Sequence, residues 1–343
     1  RTTFSDQPGH DRQETLAGSA RVTWRAHENF NLEALVSRTV ADLEYGFDED
    51  WSFVGICETF DCQAPGFSSF DNYIRDNENT TVDLRLVSNT ESGQLGWVAG
   101  AYYRDQTQEL RRVYTFLEED FLRDYDTENR ALYGQLQLPL AGRLKLTTGL
   151  RYEQREADYR DSDGAAFAPD ENMWGGKLAL EYRTAGGALW YALASRGYRA
   201  GGVNSDSAVP DTRREFDTET MWNYELGVKT SLWQDRMDVQ VTLFFQDRDD
   251  VQTDQSLVRP FEGTDCPCQF IDFTTNATAG RSYGLETELN WRVNDTVQTF
   301  ASLGLLGSQF DDFLNFSHVD ADPDTGRPFD MDGRELPHAP DYQ

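Results

Sequence analysis

The chain has 343 residues, room for one large domain or two ordinary ones, and sets 60 acidic against 31 basic side chains for a formal charge of −29. That balance excludes nucleic acid as a favoured partner and fits cationic ligands or divalent ions better. No run of about 18 apolar residues occurs, which excludes a transmembrane helix but not a barrel whose strands alternate apolar with polar residues.

The first run, Gly18 to Glu28, turns near Asn29 into a second from Phe30 to Tyr45, in which Phe30, Leu32, Ala34 and Val36 alternate with Asn31, Glu33 and Ser37. Side chains two apart share one face of a sheet, so this period of two predicts strands. A loop of roughly 30 residues is expected next, with Cys57, Cys62 and the rings of Phe67, Phe70 and Tyr73. A hairpin then pairs Val82–Leu86 with Leu95–Arg104 across Glu91-Ser92-Gly93. The charged segment Asp105–Asn129 reads as a connection. Beyond it come Ala131–Leu138, the turn Pro139–Gly142, and Leu144–Tyr152, where Leu144, Leu146, Thr148, Leu150 and Tyr152 oppose Lys145, Thr147, Gly149, Arg151 and Glu153.

Trp174–Tyr182 leads through Ala185-Gly186-Gly187 to a strand from Ala188, then to an acidic, proline-bearing loop. The strand ending at Leu232 has Trp222, Tyr224, Leu226, Val228 and Leu232 on one parity and Asn223, Glu225, Gly227, Lys229 and Ser231 on the other. After the turn Trp233-Gln234-Asp235 come Met237–Phe245, a loop with Cys266 and Cys268, and the pair Ser282–Trp291 and Val297–Leu306, turned at Val293-Asn294-Asp295. An acidic loop, Asp311–Arg334, precedes a possible further strand at Ala339.

Long connections of about 15 to 30 residues thus alternate with turns of about 2 to 5, the signature of an up-and-down meander with one elaborate rim and one plain rim. A soluble sandwich has Greek-key crossings and does not segregate loop lengths in this way. Runs of about ten residues fit tilted strands through a bilayer. The fold class expected is all-β: an antiparallel transmembrane β-barrel, with about twelve strands here, long loops extracellular and short turns periplasmic.

Three stretches carry a more specific signal: SRGYRAGGVN (Ser195–Asn204), WNYELGVKTSL (Trp222–Leu232) and NATAGRSYGLETELNW (Asn276–Trp291). Their order and spacing resemble the barrel of TonB-dependent outer-membrane receptors. DLRLVSNTESGQLGWVAGAYY (Asp83–Tyr103), ALYGQLQLPLAGRLKLTTGLRYE (Ala131–Glu153) and ELPHAPDY (Glu335–Tyr342) add to the resemblance. It implies a large plugged barrel of about 22 strands, of which residues 1–343 would be the middle part, without plug domain, TonB-contacting segment or final strands. Arg1 opens inside a polar stretch and Pro340–Gln343 closes without a cap, in keeping with an excerpt of a longer protein. The resemblance further implies import of a scarce ligand across the bacterial outer membrane: a ferric siderophore, cobalamin or an oligosaccharide. Energy would come from the TonB complex through the absent plug, with outer-membrane lipid and lipopolysaccharide around the wall. The alternatives are a passive porin-like channel and a surface β-protein that transports nothing.

Candidate ligand contacts are Arg196, Tyr198, Arg199 and Asn204 of the Gly-Tyr-Arg element, and the rings of Phe67, Phe70, Tyr73 and Phe270, which could stack on a sugar or catecholate. The element also reads as rim architecture, its glycines permitting a bend and its arginines pairing with inward carboxylates. Glu225, Lys229, Glu286 and Glu288 fall on the inward parity and would line the lumen or touch a plug. Paired carboxylates alone do not make a glycosidase, and without a catalytic motif no enzyme and no cofactor are expected. Cys57 with Cys62 and Cys266 with Cys268 read as local disulfides of an oxidising compartment. His10, His27, His318 and His338 stand beside neither pair, which argues against zinc. Across the single residue between Cys266 and Cys268 a bridge is strained, leaving a partner elsewhere open. Asp320, Asp322 and Asp324 have the alternation of a calcium loop, but Gly326 comes one residue late and the final glutamate is missing, so a solvated acidic loop is expected.

Overall fold

The computed structural model of the chain describes residues 4–60, 68–90, 94–206, 209–260, 268–315 and 329–343. Twelve long strands follow one another: β1 (His10–His27), β2 (Phe30–Asp48), β3 (Phe70–Ser88), β4 (Gly96–Tyr114), β5 (Phe121–Pro139), β6 (Leu144–Asp161), β7 (Asp170–Arg183), β8 (Leu189–Arg199), β9 (Glu219–Leu232), β10 (Met237–Pro260), β11 (Cys268–Arg292) and β12 (Gln298–Asp311). Each pairs antiparallel with its sequence neighbour, and the sheet stays open between β1 and β12. The strand Ala166–Phe167 adds to β6, and two small two-stranded ladders, Gly202–Val203 with Glu215–Phe216 and Leu314–Asn315 with Phe329–Asp330, decorate the loop end.

Residues opposite one another in register share a face. Leu226 lies between Ala192 and Leu243, and Leu150 between Gly134 and Gly176. Following those pairs across the sheet separates an apolar face from a polar one. Leu132, Leu150, Leu178, Leu226, Leu243 and Leu303 stand exposed on the apolar side. Rings bound this band at two levels. Trp97, Tyr182, Trp190, Trp233 and Trp291 lie near the short turns, and Tyr103, Tyr152, Trp174, Trp222, Tyr224, Phe245 and Tyr283 lie about nine residues further along their strands. Trp174 meets Trp222 edge-on at 6.1 Å, Trp222 stacks on Tyr224 at 6.1 Å, and Trp233 packs on Trp291 at 5.7 Å. At about 3.3 Å per residue and a tilt of about 40°, the two girdles stand roughly 20 Å apart, close to the height of a barrel's lipid-facing band.

The opposite face is polar and fitted by size. A Cβ on Gly227 would collide with the hydroxyl end of the Tyr191 ring, whose hydroxyl meets Thr242 Oγ1 at 2.9 Å, and one on Gly100 would strike Tyr133. The glycines are pockets that let inward rings lie flat along the wall. The well-buried apolar clusters sit at the long-connection end: Val209 with Ile271 and Phe273, and Val251 with Ala277, Phe310 and Phe313. The turn Trp233-Gln234-Asp235 has φ of 54°, 59° and 61°, three successive left-handed residues that reverse the chain within a tight space.

The strands outrun the expected runs, which corrects the alternation of loop lengths. Asp105–Asn129 is mostly ladder, with only Thr115–Asp120 connecting β4 to β5, and Phe70 and Tyr73 stand on β3 rather than in a loop. The loop expected after Phe245 is likewise mostly β10 and β11. Beyond the upper girdle both faces are polar, so hydrophobic alternation fades while backbone pairing continues. The plain rim keeps its turns, as at Leu140–Arg143 between β5 and β6.

Candidate functional site: the polar wall

The polar face of β2 to β8 is a continuous wall of arginine, tyrosine and carboxylate. Its lower course begins with Arg85 bound to Glu33 through two donors, at 2.7 and 2.9 Å. Tyr133 donates to Asp83 at 2.9 Å, and Arg151 lies over the Tyr102 ring at 4.8 Å while gripping Glu153 at 2.7 Å. Glu153 also accepts from Tyr198 and Asn129, each at 2.8 Å. Strand register builds this course, since Asp83, Tyr102, Ala131 and Glu153 form one cross-strand row.

The middle course holds Arg155, bonded to Glu171 and to the Tyr125 hydroxyl at 2.8 Å each, and Arg104, which donates to Asn79 at 2.7 Å and to Gln106. Glu171 in turn accepts from the Gly201 N–H at 2.8 Å and from the Thr218 hydroxyl, which ties the entry of the 200–218 loop to the wall.

At the upper course Arg112 forms a fork on Asp71, at 2.7 and 2.9 Å, and lies over the rings of Tyr73 and Tyr114 at 5.2 and 5.0 Å. Asp71 is 3% exposed and also accepts from Tyr73 at 3.0 Å. A cavity of about 280 Å³ opens beside them, lined by Tyr73, Arg112, Asp120, Phe121, Ser162 and Asp206 among others. The loop over this end is fastened twice. Arg214 bonds Asp161 at 2.7 Å, Tyr159 at 2.8 Å and the Asn204 carbonyl at 3.0 Å, while Asn204 exchanges two bonds of 2.8 Å with the Thr274 backbone.

The wall's charge runs against that of the chain. On the polar face of β2 to β7, Arg75, Arg85, Arg104, Arg112, Arg123, Lys145, Arg151, Arg155, Lys177 and Arg183 face Glu33, Asp71, Asp83, Glu153, Asp161, Glu171 and Glu181, a small surplus of cations. Among the described residues Arg75 has the Tyr73 ring as its partner, at 5.3 Å, and Arg104 has only amides. Arg123 Nε is buried with no hydrogen-bond acceptor, and Arg123 and Arg75 flank Leu110 in one row. The two cations stand about 10 Å apart across two strand spacings, and among the described residues neither has an ion-pair partner.

The residues singled out from sequence are distributed over both faces. Arg196 is on the apolar face, its guanidinium 4.2 Å from the Trp174 ring centre and donating to the Trp174 carbonyl. Tyr198 is on the polar wall. The β7–β8 ladder ends at Gly176–Arg196, and past it the Tyr198 ring lies 3.1 Å from where a Gly175 Cβ would be. Arg199 stands opposite Glu219 and is exposed, and Asn204 is the loop fastener. Phe70 packs against His10, ring centres 5.9 Å apart, and Tyr73 belongs to the upper course. Phe67, Cys62, Cys266, Asp320, Asp322 and Asp324 lie outside the described residues, and of Phe270 and Cys268 only the backbone is described. Cys57 is disulfide-bonded.

Glu225, Lys229, Glu286 and Glu288 do share the polar face. Glu225 accepts from Asn223 at 2.8 Å, Lys229 lies 5.8 Å from the Tyr191 ring centre, and Lys229 and Glu288 border a cavity of about 360 Å³ near the short turns. Glu286 stands between Thr242 and Gly304. Sequence reasoning missed Asp71, Arg112, Arg123, Arg155 and Arg214. The signal was there in Tyr102, Arg104, Gln106, Gln108, Leu110, Arg112 and Tyr114, one parity through a stretch read as a connection. Among the described residues no group of three or more His, Cys, Asp and Glu is arranged to hold a metal ion.

The family model of the TonB dependent receptor-like β-barrel matches residues 1–343. Among solved structures, the ferric yersiniabactin uptake receptor of Yersinia pestis superposes with a TM-score of 0.70 at 17% identity, over 97% of this chain and 46% of its own. The siderophore receptor PiuA of Acinetobacter baumannii gives 0.70 at 15%, over 97% and 51%, and the ferric-catecholate import receptor Fiu of E. coli gives 0.69 at 13%, over 99% and 52%. The chain spans about half the length of these receptors.

Proposed function

We propose that this chain, which belongs to the TonB-dependent receptor-like β-barrel family, forms part of the wall of an active importer for an anionic metal chelate of the siderophore kind. The family is one of outer-membrane β-barrel transporters rather than enzymes. The observation that carries the ligand class is the surplus of arginine on the polar wall, above all Arg75 and Arg123, in a chain whose formal charge is −29. Ferric chelates of catecholates and carboxylates expose anionic oxygens, which arginine forks engage, and aromatic ligand rings stack on tyrosines such as Tyr73. The reading puts the long connections outside the cell, the upper course as the ligand's first contact, and TonB acting through a plug that these residues do not include. Tyr198 and Glu153 would then hold the wall rigid beneath the ligand, and Glu225, Lys229, Glu286 and Glu288 would face the plug. Cys57 would pair with Cys62, closing the 49–69 connection.

In the intact receptor, Arg75→Gln with Arg123→Gln removes two cations that have no ion-pair partner among the described residues and leaves every described ion pair in place. At about 1.5 kcal/mol for each charge-assisted contact, affinity for a trianionic ferric tris-catecholate should fall on the order of 100-fold. Titration by quenching of tryptophan fluorescence, run in parallel with an uncharged ferric trihydroxamate, checks this. Equal loss for both ligands, or loss for neither, would remove the anionic ligand class while leaving the family untouched.

A further inference from the structure

Arg196 is the feature of this molecule that transport does not absorb. It stands on the apolar face, level with Trp174 and Trp222 of the upper girdle, in the row Gly134, Leu150, Gly176, Arg196, Trp222. Other arginines on that face are ion-paired: Arg130 with Glu128 at 2.6 Å and Arg281 with Asp311 at 2.9 Å. The described partners of Arg196 are the ring and carbonyl of Trp174, which leave most of its donors unspent. A cation held rigidly by a ring, at the boundary between an apolar band and a polar rim, is complementary to a lipid phosphate at headgroup depth.

Beside it runs an apolar groove of about 560 Å³, bordered by Trp97, Leu132, Gly134, Leu136, Leu150 and Tyr152. Gly134 forms part of its floor, and a Cβ there would meet only the Val98 carbonyl oxygen at 3.4 Å, so the groove exists because a side chain is absent rather than excluded. Along the Gly134 row the near side of the groove, at Leu150, is two strand spacings from Arg196 and its floor, at Gly134, three, about 10 to 14 Å, a distance that the head and first acyl carbons of a membrane lipid span.

We infer that the outer surface of this barrel binds one phosphorylated glycolipid of the outer leaflet, its phosphate on Arg196 and an acyl chain in the groove floored by Gly134. The inference rests on the membrane reading of the apolar face. It commits to the outer leaflet because Arg196 lies toward the long connections.

Native mass spectrometry of the intact receptor in mild detergent, with purified bisphosphorylated lipid A added, tests it. Wild type should retain one lipid A, Arg196→Gln should lower occupancy on the order of tenfold, and Arg196→Lys should restore much of it. Gly134→Leu fills the groove without touching the charge and should also lower occupancy. Dephosphorylated lipid A should bind wild type no better than lipid A binds Arg196→Gln, and phosphatidylglycerol should compete weakly. Should Arg196→Gln fail to fold, Gly134→Leu and the dephosphorylated lipid still decide. Equal retention by wild type and variants, or indifference to the phosphates, overturns the site. Recovery of the receptor in outer membranes would show in the same preparations that the membrane reading stands independently.

Discussion

Leu226→Arg in the intact receptor should destabilise the barrel by about 1–3 kcal/mol, the range between the interface and the midplane, while Glu225→Arg, one residue away, should cost about 1 kcal/mol or less. Leu226 is 54% exposed, inside the apolar band between the girdle rings Tyr224 and Trp233 and nearer the former, with Ala192 and Leu243 as its cross-strand neighbours. An arginine there must hold its charge in hydrocarbon or bend toward the interface, and both are costly. Glu225 faces the polar wall and gives up only its bond from Asn223. Urea titration of the receptor folded in lipid vesicles measures the difference. In water the exposed Leu226 and the half-buried Glu225 would rank the other way, with Leu→Arg nearly free, so equal tolerance at both would remove the membrane assignment.

The same strand shows what was legible in the sequence. Inside the apolar band one face must be greasy, so Leu144 through Tyr152 and Trp222 through Leu232 announce their pairing by period two, and the short turns are fixed by glycine and by tight polar triplets. Above the band no face needs grease. Strand β4 from Asp105 to Tyr114 and β5 from Phe121 to Asn129 therefore carry no hydrophobic alternation, although their hydrogen-bonded ladder is unbroken. The candidate site lies largely in those upper halves, which is why Asp71, Arg112 and Arg123 were passed over and, of the upper course itself, only Tyr73 was noticed.

Bulk charge describes the polar wall poorly for a related reason. Asp124, Asp126, Glu128, Glu156 and Asp158 lie on the outward parity above the girdle, so they raise the acidic total without facing the lumen. Net charge describes the whole surface, whereas a ligand meets one face. Arg196 and Tyr198, two residues apart, illustrate how fine the division is. Parity puts both on the outer face, and the end of the β7–β8 ladder together with the bare Gly175 lets the tyrosine cross to the inner one.

Arg214→Ala should cost the 200–218 loop about 3–5 kcal/mol of docking free energy, up to the limit at which the loop simply detaches. Arg214 is 2% exposed and the Asp161 side chain 0%, so deleting the guanidinium strands a carboxylate in a place water does not reach. Arg214 also lies over the Tyr159 and Phe167 rings at 5.4 Å each, and that packing goes with it. The strand ladders do not depend on the pair, so barrel unfolding should shift little while amides of 200–218 lose protection in hydrogen exchange. Asp161→Asn should release the loop less than Arg214→Ala, and adding it to Arg214→Ala should recover part of the loss, because the stranded charge is gone.

The pH dependence has a definite sign. Asp161 lies at the far end of β6, beyond the apolar band, where burial pushes its carboxyl upward but bonds from Arg214, the Ala165 N–H and Tyr159 outweigh burial and hold it below the usual carboxylate range. A folded value below the unfolded one means the contribution is complete above the unfolded value and is lost as pH falls through the folded one. Loop protection in the wild type should therefore persist through mildly acidic conditions and collapse only below the ordinary carboxylate range, and the part of that collapse due to Asp161 should vanish in Asp161→Asn. Unchanged protection in Arg214→Ala at neutral pH would mean that Asn204 and Gln252 hold the loop alone, and the Arg214–Asp161 pair would lose its role as the fastening to β6.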